Sequence, residues 1–128
     1  MSGAAGTALV GGSAGLRWYQ AEAVTAITAG LRDGGAGQLH AACGTGKTRI
    51  AAEAAAALAA SGVIVVLVPS VALAAQTLAA WPAGCPVDGA FAVCSDPTAG
   101  GAAPSGGAVR VSTDPEVIAK WLVGVTGR

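Results

Sequence analysis

The chain lacks charge of either excess sign: seven Lys+Arg stand against seven Asp+Glu, a formal net charge of zero, and only 11% of its 128 residues are charged. That excludes a polycation that holds nucleic acid by charge alone, so any phosphate binding must be local. It has little aromatic material, 4%, and nearly half of its 53% hydrophobic content is alanine. Such a composition excludes global disorder but predicts a shallow core of marginal stability, dependent on close helix packing more than on large side chains. The three cysteines, Cys43, Cys85 and Cys94, show no CxxC spacing, and His40 is the single histidine that could join them around a metal. A reduced, cytoplasmic setting follows. No two acidic residues are adjacent: Glu22, Asp33, Glu53, Asp88, Asp96, Asp114 and Glu116 are all isolated.

The length suits one domain or a piece of one, too short for a two-lobed motor enzyme. The most apolar window, residues 50–68, carries Glu53 and is broken by Ser61-Gly62, so it reads as helix, turn and strand and not as a membrane span. Residues 1–15 have no basic residue ahead of their weakly apolar stretch, which argues against a signal peptide; they are expected to form a flexible tail.

Hydrophobic spacing then divides the remainder. Val24, Ile27 and Leu31 predict a helix over 16–31, ended by Asp33-Gly34-Gly35. Residues 37–42 predict a short strand running into a glycine loop. Ile50, Ala54 and Leu58 mark the helix beyond it. Val63 through Val68 is an unbroken apolar run without alternation, as in a central parallel strand covered on both faces. Leu73, Thr77 and Trp81 predict a further helix, closed by Pro82 and Gly84. Two short strands are expected at 90–94 and 109–112, with a small-residue loop, 98–107, that cannot build a core. Thr113-Asp114-Pro115-Glu116 signals a last helix: Thr113 caps it with Glu116 reaching back, or Asp114 is the cap. Val117, Ile118, Trp121 and Leu122 form its apolar face. Strands alternating with helices predict an α/β fold on a parallel sheet.

The segment that carries chemistry is Ala41-Ala42-Cys43-Gly44-Thr45-Gly46-Lys47-Thr48, which meets the phosphate-loop pattern G-x-x-x-x-G-K-[ST] at every fixed position but the first. Gly44 and Gly46 permit the tight path, and backbone amides at the following helix start converge on an anion. Lys47 would meet the β- and γ-phosphates, and the Thr48 hydroxyl would ligate Mg2+. A lysine in a first helical turn opposes the helix dipole by ~0.3–1 kcal/mol, which a bound anion would offset. The competing reading is a plain strand-to-helix turn with a solvated lysine. Cys43 as a nucleophile would need a base, for which His40 is the one candidate.

Taken together the segments resemble the first RecA-like lobe of superfamily-two helicases, in particular the DEAD/DEAH-type and type I or III restriction-helicase group, over residues 16 to about 122. In that group the loop often begins with alanine, as Ala41 does here. The resemblance implies a three-layer α/β parallel sheet of the P-loop NTPase type, incomplete here, with ATP and Mg2+ as cofactors held by Cys43, Gly44, Thr45, Gly46, Lys47 and Thr48. Leu16-Arg17-Trp18-Tyr19-Gln20 looks like the group's opening motif, which implies that Gln20 reads the adenine edge with support from Arg17; an amide can pair bidentately with adenine. Val68-Pro69-Ser70, with Leu73 and Gln76, looks like the motif that meets a DNA or RNA backbone, implying roles for Pro69, Ser70 and Gln76; an ordinary capped helix is the alternative. Cys94-Ser95-Asp96 and Thr113-Asp114-Pro115 are weaker likenesses.

The group's next element, a strand ending in an Asp-Glu pair, has no counterpart here. The expectation is therefore a partial helicase ATP-binding domain over 16–128, the N-terminal part of an ATP-dependent helicase or translocase, truncated or split from its remainder. It would bind nucleotide weakly and hydrolyse it barely or not at all alone. Alternatives are a non-catalytic interaction module that associates through an exposed sheet edge and, with so few arginines less well supported, a small P-loop kinase.

Overall fold

The computed structural model describes residues 15–59, 61–85, 87–100, 103 and 106–126. The expected tail, residues 1–15, lies outside these except for Gly15. Four helices and a two-stranded parallel sheet make up the described chain, an α/β arrangement.

Helix α1, Trp18–Leu31, starts where Gln20 Oε1 accepts a hydrogen bond from the Arg17 backbone N–H at 3.0 Å, which satisfies one donor at the helix entrance. Its predicted stripe of Val24, Ile27 and Leu31 is half-buried, and the helix packs on α2, Lys47–Leu58. On α2 the expected stripe holds for Ile50 and Ala54, both buried, whereas Leu58 is 40% exposed. Ala52 is buried as well, so the buried residues of α2 are two alanines and one isoleucine. Small side chains let the two helices approach closely, at the cost of little apolar area per residue.

Helix α3, Val71–Ala79, is capped by Ser70, whose hydroxyl oxygen accepts from the Leu73 N–H at 3.2 Å. Trp81, expected as the last residue of its stripe, lies just past the helix and donates from Nε1 to the Cys85 carbonyl at 3.1 Å.

Two strands form where expected but shorter: β1, Phe91–Ala92, pairs in parallel with β2, Arg110–Val111. The connection between them corrects the expectation of a coreless loop over 98–107. Asp96 caps a 3-10 turn at Pro97–Ala99, and Ala99, Ala103 and Val109 are each buried. Gly100 permits this packing, because a Cβ there would stand 2.9 Å from the Val109 carbonyl oxygen and from Val111 Cγ2. Alanine suffices to seal a gap that narrow.

The last helix, α4, is Pro115–Thr126. Of the two capping arrangements expected, the second is realised: Asp114 Oδ1 accepts from the Glu116 N–H at 2.9 Å, with Pro115 in the first helical position. Trp121 of α4 packs against Phe91 of β1, ring centroids 5.3 Å apart.

The largest correction concerns residues 37–42 and 63–68. Both were expected as strands, and 63–68 as the central one covered on both faces. Among the described residues neither forms a strand or joins a ladder. Val65 is 75% and Leu67 90% exposed. The run lies between two cavities. One, of about 570 Å³, is walled by α3, β1 and α4; the other, of about 630 Å³, is walled by α2 with Thr77 and Trp81. A strand's composition sets its preference for extended backbone, but burial and pairing depend on a neighbour at the 4.7–4.9 Å spacing, and none of the described strands stands there. Among the described residues no helix is long and apolar enough to cross a membrane.

Candidate phosphate-binding site

The glycine loop joins residues 37–42 to α2. Gly44 and Gly46 take φ of 78° and 81°, the left-handed region that residues with a Cβ avoid, so the loop's path requires glycine at both. Gly46 is the residue immediately before α2, and its carbonyl accepts the first helical bond, from Ile50 N–H at 3.1 Å. The N–H groups just inside the helix have no intrahelical acceptors and carry the positive end of its dipole.

Lys47 is exposed and opens α2. Its ammonium donates to the carbonyls of Ala41 and Ala42 at 3.1 and 2.9 Å, so it spans the loop and closes it on itself. Thr45 Oγ1 adds a second brace, to the Ala42 carbonyl at 2.7 Å. Ala41 thus contributes only a carbonyl, which any residue supplies, and this explains why alanine serves where the general pattern has glycine. Thr48 is exposed in the first turn, and its hydroxyl makes no hydrogen bond to the described residues. A hard oxygen donor next to a helix start, on the same turn as a lysine, has the chemistry a Mg2+–phosphate pair requires.

No acidic residue occupies the first turn of α2, which instead holds Lys47 and Arg49. Two cations facing the positive end of a helix dipole are unfavourable unless an anion or carboxylate answers them. Arg49 meets part of this need inside the protein, sharing the surroundings of Glu53 and the buried Cys85 thiol. Burial, and then the Glu53 carboxylate that accepts the thiol's hydrogen bond, push Cys85 up, while Arg49 pulls it down. Among the described residues, Lys47 has only neutral carbonyls as partners.

The other predicted residues fall in two places. Gln20 is brought to the loop: it is 7% exposed and donates from Nε2 to the Thr45 carbonyl at 2.9 Å. Arg17 is exposed at the start of α1 and donates from Nη1 to the Tyr19 hydroxyl at 3.4 Å. Cys43 is exposed on the loop, and among the described residues His40 pairs with Gln38 at 3.2 Å and not with that thiol. Pro69, Ser70 and Gln76 are exposed on and before α3, with the Ser70 hydroxyl oxygen serving as the helix cap. The sequence reading missed Thr77 and Trp81 as neighbours of the site: both line the 630 Å³ cavity that Lys47 and Thr48 also line. Their signal was present in the α3 stripe, where it was assigned to helix packing alone.

Residues 13–91 match the family model of the type III restriction enzyme, res subunit. The chain belongs to that family. Its domain is of the phosphate-loop helicase type, and the matched span contains Arg17, Gln20, the whole glycine loop, and Pro69, Ser70 and Gln76. Neither the curated proteins nor the solved structures contain a match to the chain.

Proposed function

We propose that this res-subunit-family chain binds Mg-ATP through residues 43–48 and belongs to the ATP-dependent DNA or RNA helicases and translocases. The observation that carries the reading is the loop itself: two left-handed glycines, a helix start with open amides, and a lysine whose ammonium rests on neutral carbonyls. An incoming triphosphate replaces those carbonyls with a stronger, charged acceptor. Thr48 would hold Mg2+, which neutralises phosphate charge when bound. Gln20 and Arg17 would serve the adenine. Pro69, Ser70 and Gln76 would meet a nucleic-acid backbone, where open amides at the start of α3 receive a phosphate without a basic cluster.

Residues 16–128 act in this reading as a partial ATP-binding domain on a three-layer sheet. Binding is proposed in preference to turnover, since the sequence carries only isolated acidic residues and turnover calls for a carboxylate pair beside the metal. The test is titration calorimetry with Mg-ATP on the wild-type chain and on Lys47→Ala. Loss of the binding heat in the variant is expected. Equal heats in the two proteins would remove the loop from the site.

The exposure of Val65 and Leu67 favours a second reading, an interaction module that associates through this segment. A rise in melting temperature with Mg-ATP separates the two, because a ligand of the native state stabilises it by RT ln(1 + [L]/Kd).

A further inference from the structure

We infer that Gln20 is a positioning residue of the phosphate loop, strengthening the grip on the phosphates whether or not a base is attached. This rests on the reading that the loop binds phosphate. Gln20 is the buried polar side chain among the described residues, and its carboxamide is held at both ends. Oε1 accepts from the Arg17 N–H at 3.0 Å, and Nε2 donates to the Thr45 carbonyl at 2.9 Å, 25 residues along the chain.

Holding that carbonyl has a consequence for the amide beside it. The Thr45–Gly46 peptide is trans, since no peptide bond among the described residues is cis, so its C=O and N–H point in opposite directions. With the carbonyl fixed toward α1, the Gly46 N–H is fixed on the far side, next in line to the open amides of α2. Gly46 also lies against the carboxamide so closely that a Cβ there would stand 2.5 Å from Nε2. The carboxamide therefore limits how far the loop can swing toward α1, and donors held in place before the ligand arrives lose less entropy when it binds. One N–H and one lone pair of the carboxamide remain after these bonds, enough for the adenine edge as well.

The decisive ligand is Mg-tripolyphosphate, which carries the phosphates and no base, compared with Mg-ATP by titration calorimetry on the wild type and on Gln20→Met, a side chain of similar length without the donor. Mg-tripolyphosphate should bind the variant more weakly, roughly three- to tenfold, and Mg-ATP should lose at least that factor. Weakening of Mg-ATP alone would confine Gln20 to the base and overturn the inference, as would unchanged affinity for both. Failure of the wild type to bind either ligand is a different result: it would overturn the loop reading itself and this inference with it. A second measurement needs no variant. In the wild type, the Gln20 side-chain amide resonances should shift on addition of Mg-tripolyphosphate, and resonances that stay in place while the ligand binds would likewise overturn the assignment.

Discussion

The Gln20 carboxamide reaches 25 residues along the chain to the Thr45 carbonyl, and its Nε2 stands where a Cβ on Gly46 would come within 2.5 Å of it. Gly46 is therefore constrained twice, by a φ of 81° and by the absence of space, whereas Gly44 at 78° faces open solvent. Gly44→Ala should cost about 1–2 kcal/mol, the price of a left-handed alanine. Gly46→Ala should cost more, because it also displaces a buried, doubly bonded amide. Urea denaturation of both variants checks the order, and equal losses would mean that the Gln20 contact imposes no constraint.

Ile50 is the largest fully buried side chain among the described residues, on the α2 helix that packs against α1. Ile50→Ala should destabilise by about 2–5 kcal/mol, a large share of a small domain's stability. Leu58→Ala, at a position 40% exposed on the same helix, should cost much less. Similar chemical-denaturation midpoints for the two would show that the α1–α2 contact is not the principal core.

The start of α4 distinguishes two neighbouring polar residues. Asp114 accepts from the Glu116 N–H and its own N–H donates to Ser112 Oγ at 3.0 Å, while Thr113 makes no side-chain bond of this kind among the described residues. Asp114→Ala should cost about 1 kcal/mol and Thr113→Ala under about 0.5 kcal/mol. The reverse order in thermal melts would restore the Thr113 cap.

The helices and the glycine loop were legible because their signals are local: a stripe at i and i+4, a serine before an apolar run, glycines at fixed offsets ahead of Lys47-Thr48. Ser70 and α3 illustrate this, with the cap and helix both where the residues imply. The pairing of 63–68 was not legible, since six apolar residues specify an extended backbone but not a neighbour. The Gln20–Thr45 bond has no local signature either. The burial of Ala99 and Ala103 was hidden for a further reason: small residues serve equally in a solvated loop and in a narrow core, and only Gly100's close approach to β2 decides between them.

Asp96 carries a stability effect with a definite sign. Its carboxylate accepts from Thr98 Oγ1 at 2.6 Å and from Thr98 N–H at 2.9 Å, and these bonds, the side-chain one first, hold it below the ordinary carboxylate range. A folded value below the unfolded one means that the contribution is present above the unfolded value and is lost as pH falls through the folded one. Thr98→Val removes the stronger bond and should move the Asp96 titration, followed by carboxyl NMR shifts, back up toward that range. An unmoved titration would show that the hydroxyl bond does not set it.

The cysteines report on the phosphate loop without any substitution. Cys43 is exposed on the loop, Cys94 is half-buried with its thiol 3.5 Å from the Asp96 carbonyl oxygen, and Cys85 is 2% exposed. Because burial and Glu53 raise Cys85, it holds less thiolate at a given pH than an ordinary cysteine, and access to it requires local opening. A thiol-specific reagent at mildly alkaline pH should therefore modify Cys43 first and Cys85 last, located by peptide mass spectrometry. Saturating Mg-ATP should then slow Cys43 severalfold and leave Cys94 unchanged, since a triphosphate on residues 43–48 covers the first thiol and not the second. Protection of both cysteines alike would point to general tightening of the chain, and protection of neither would place the nucleotide away from this loop.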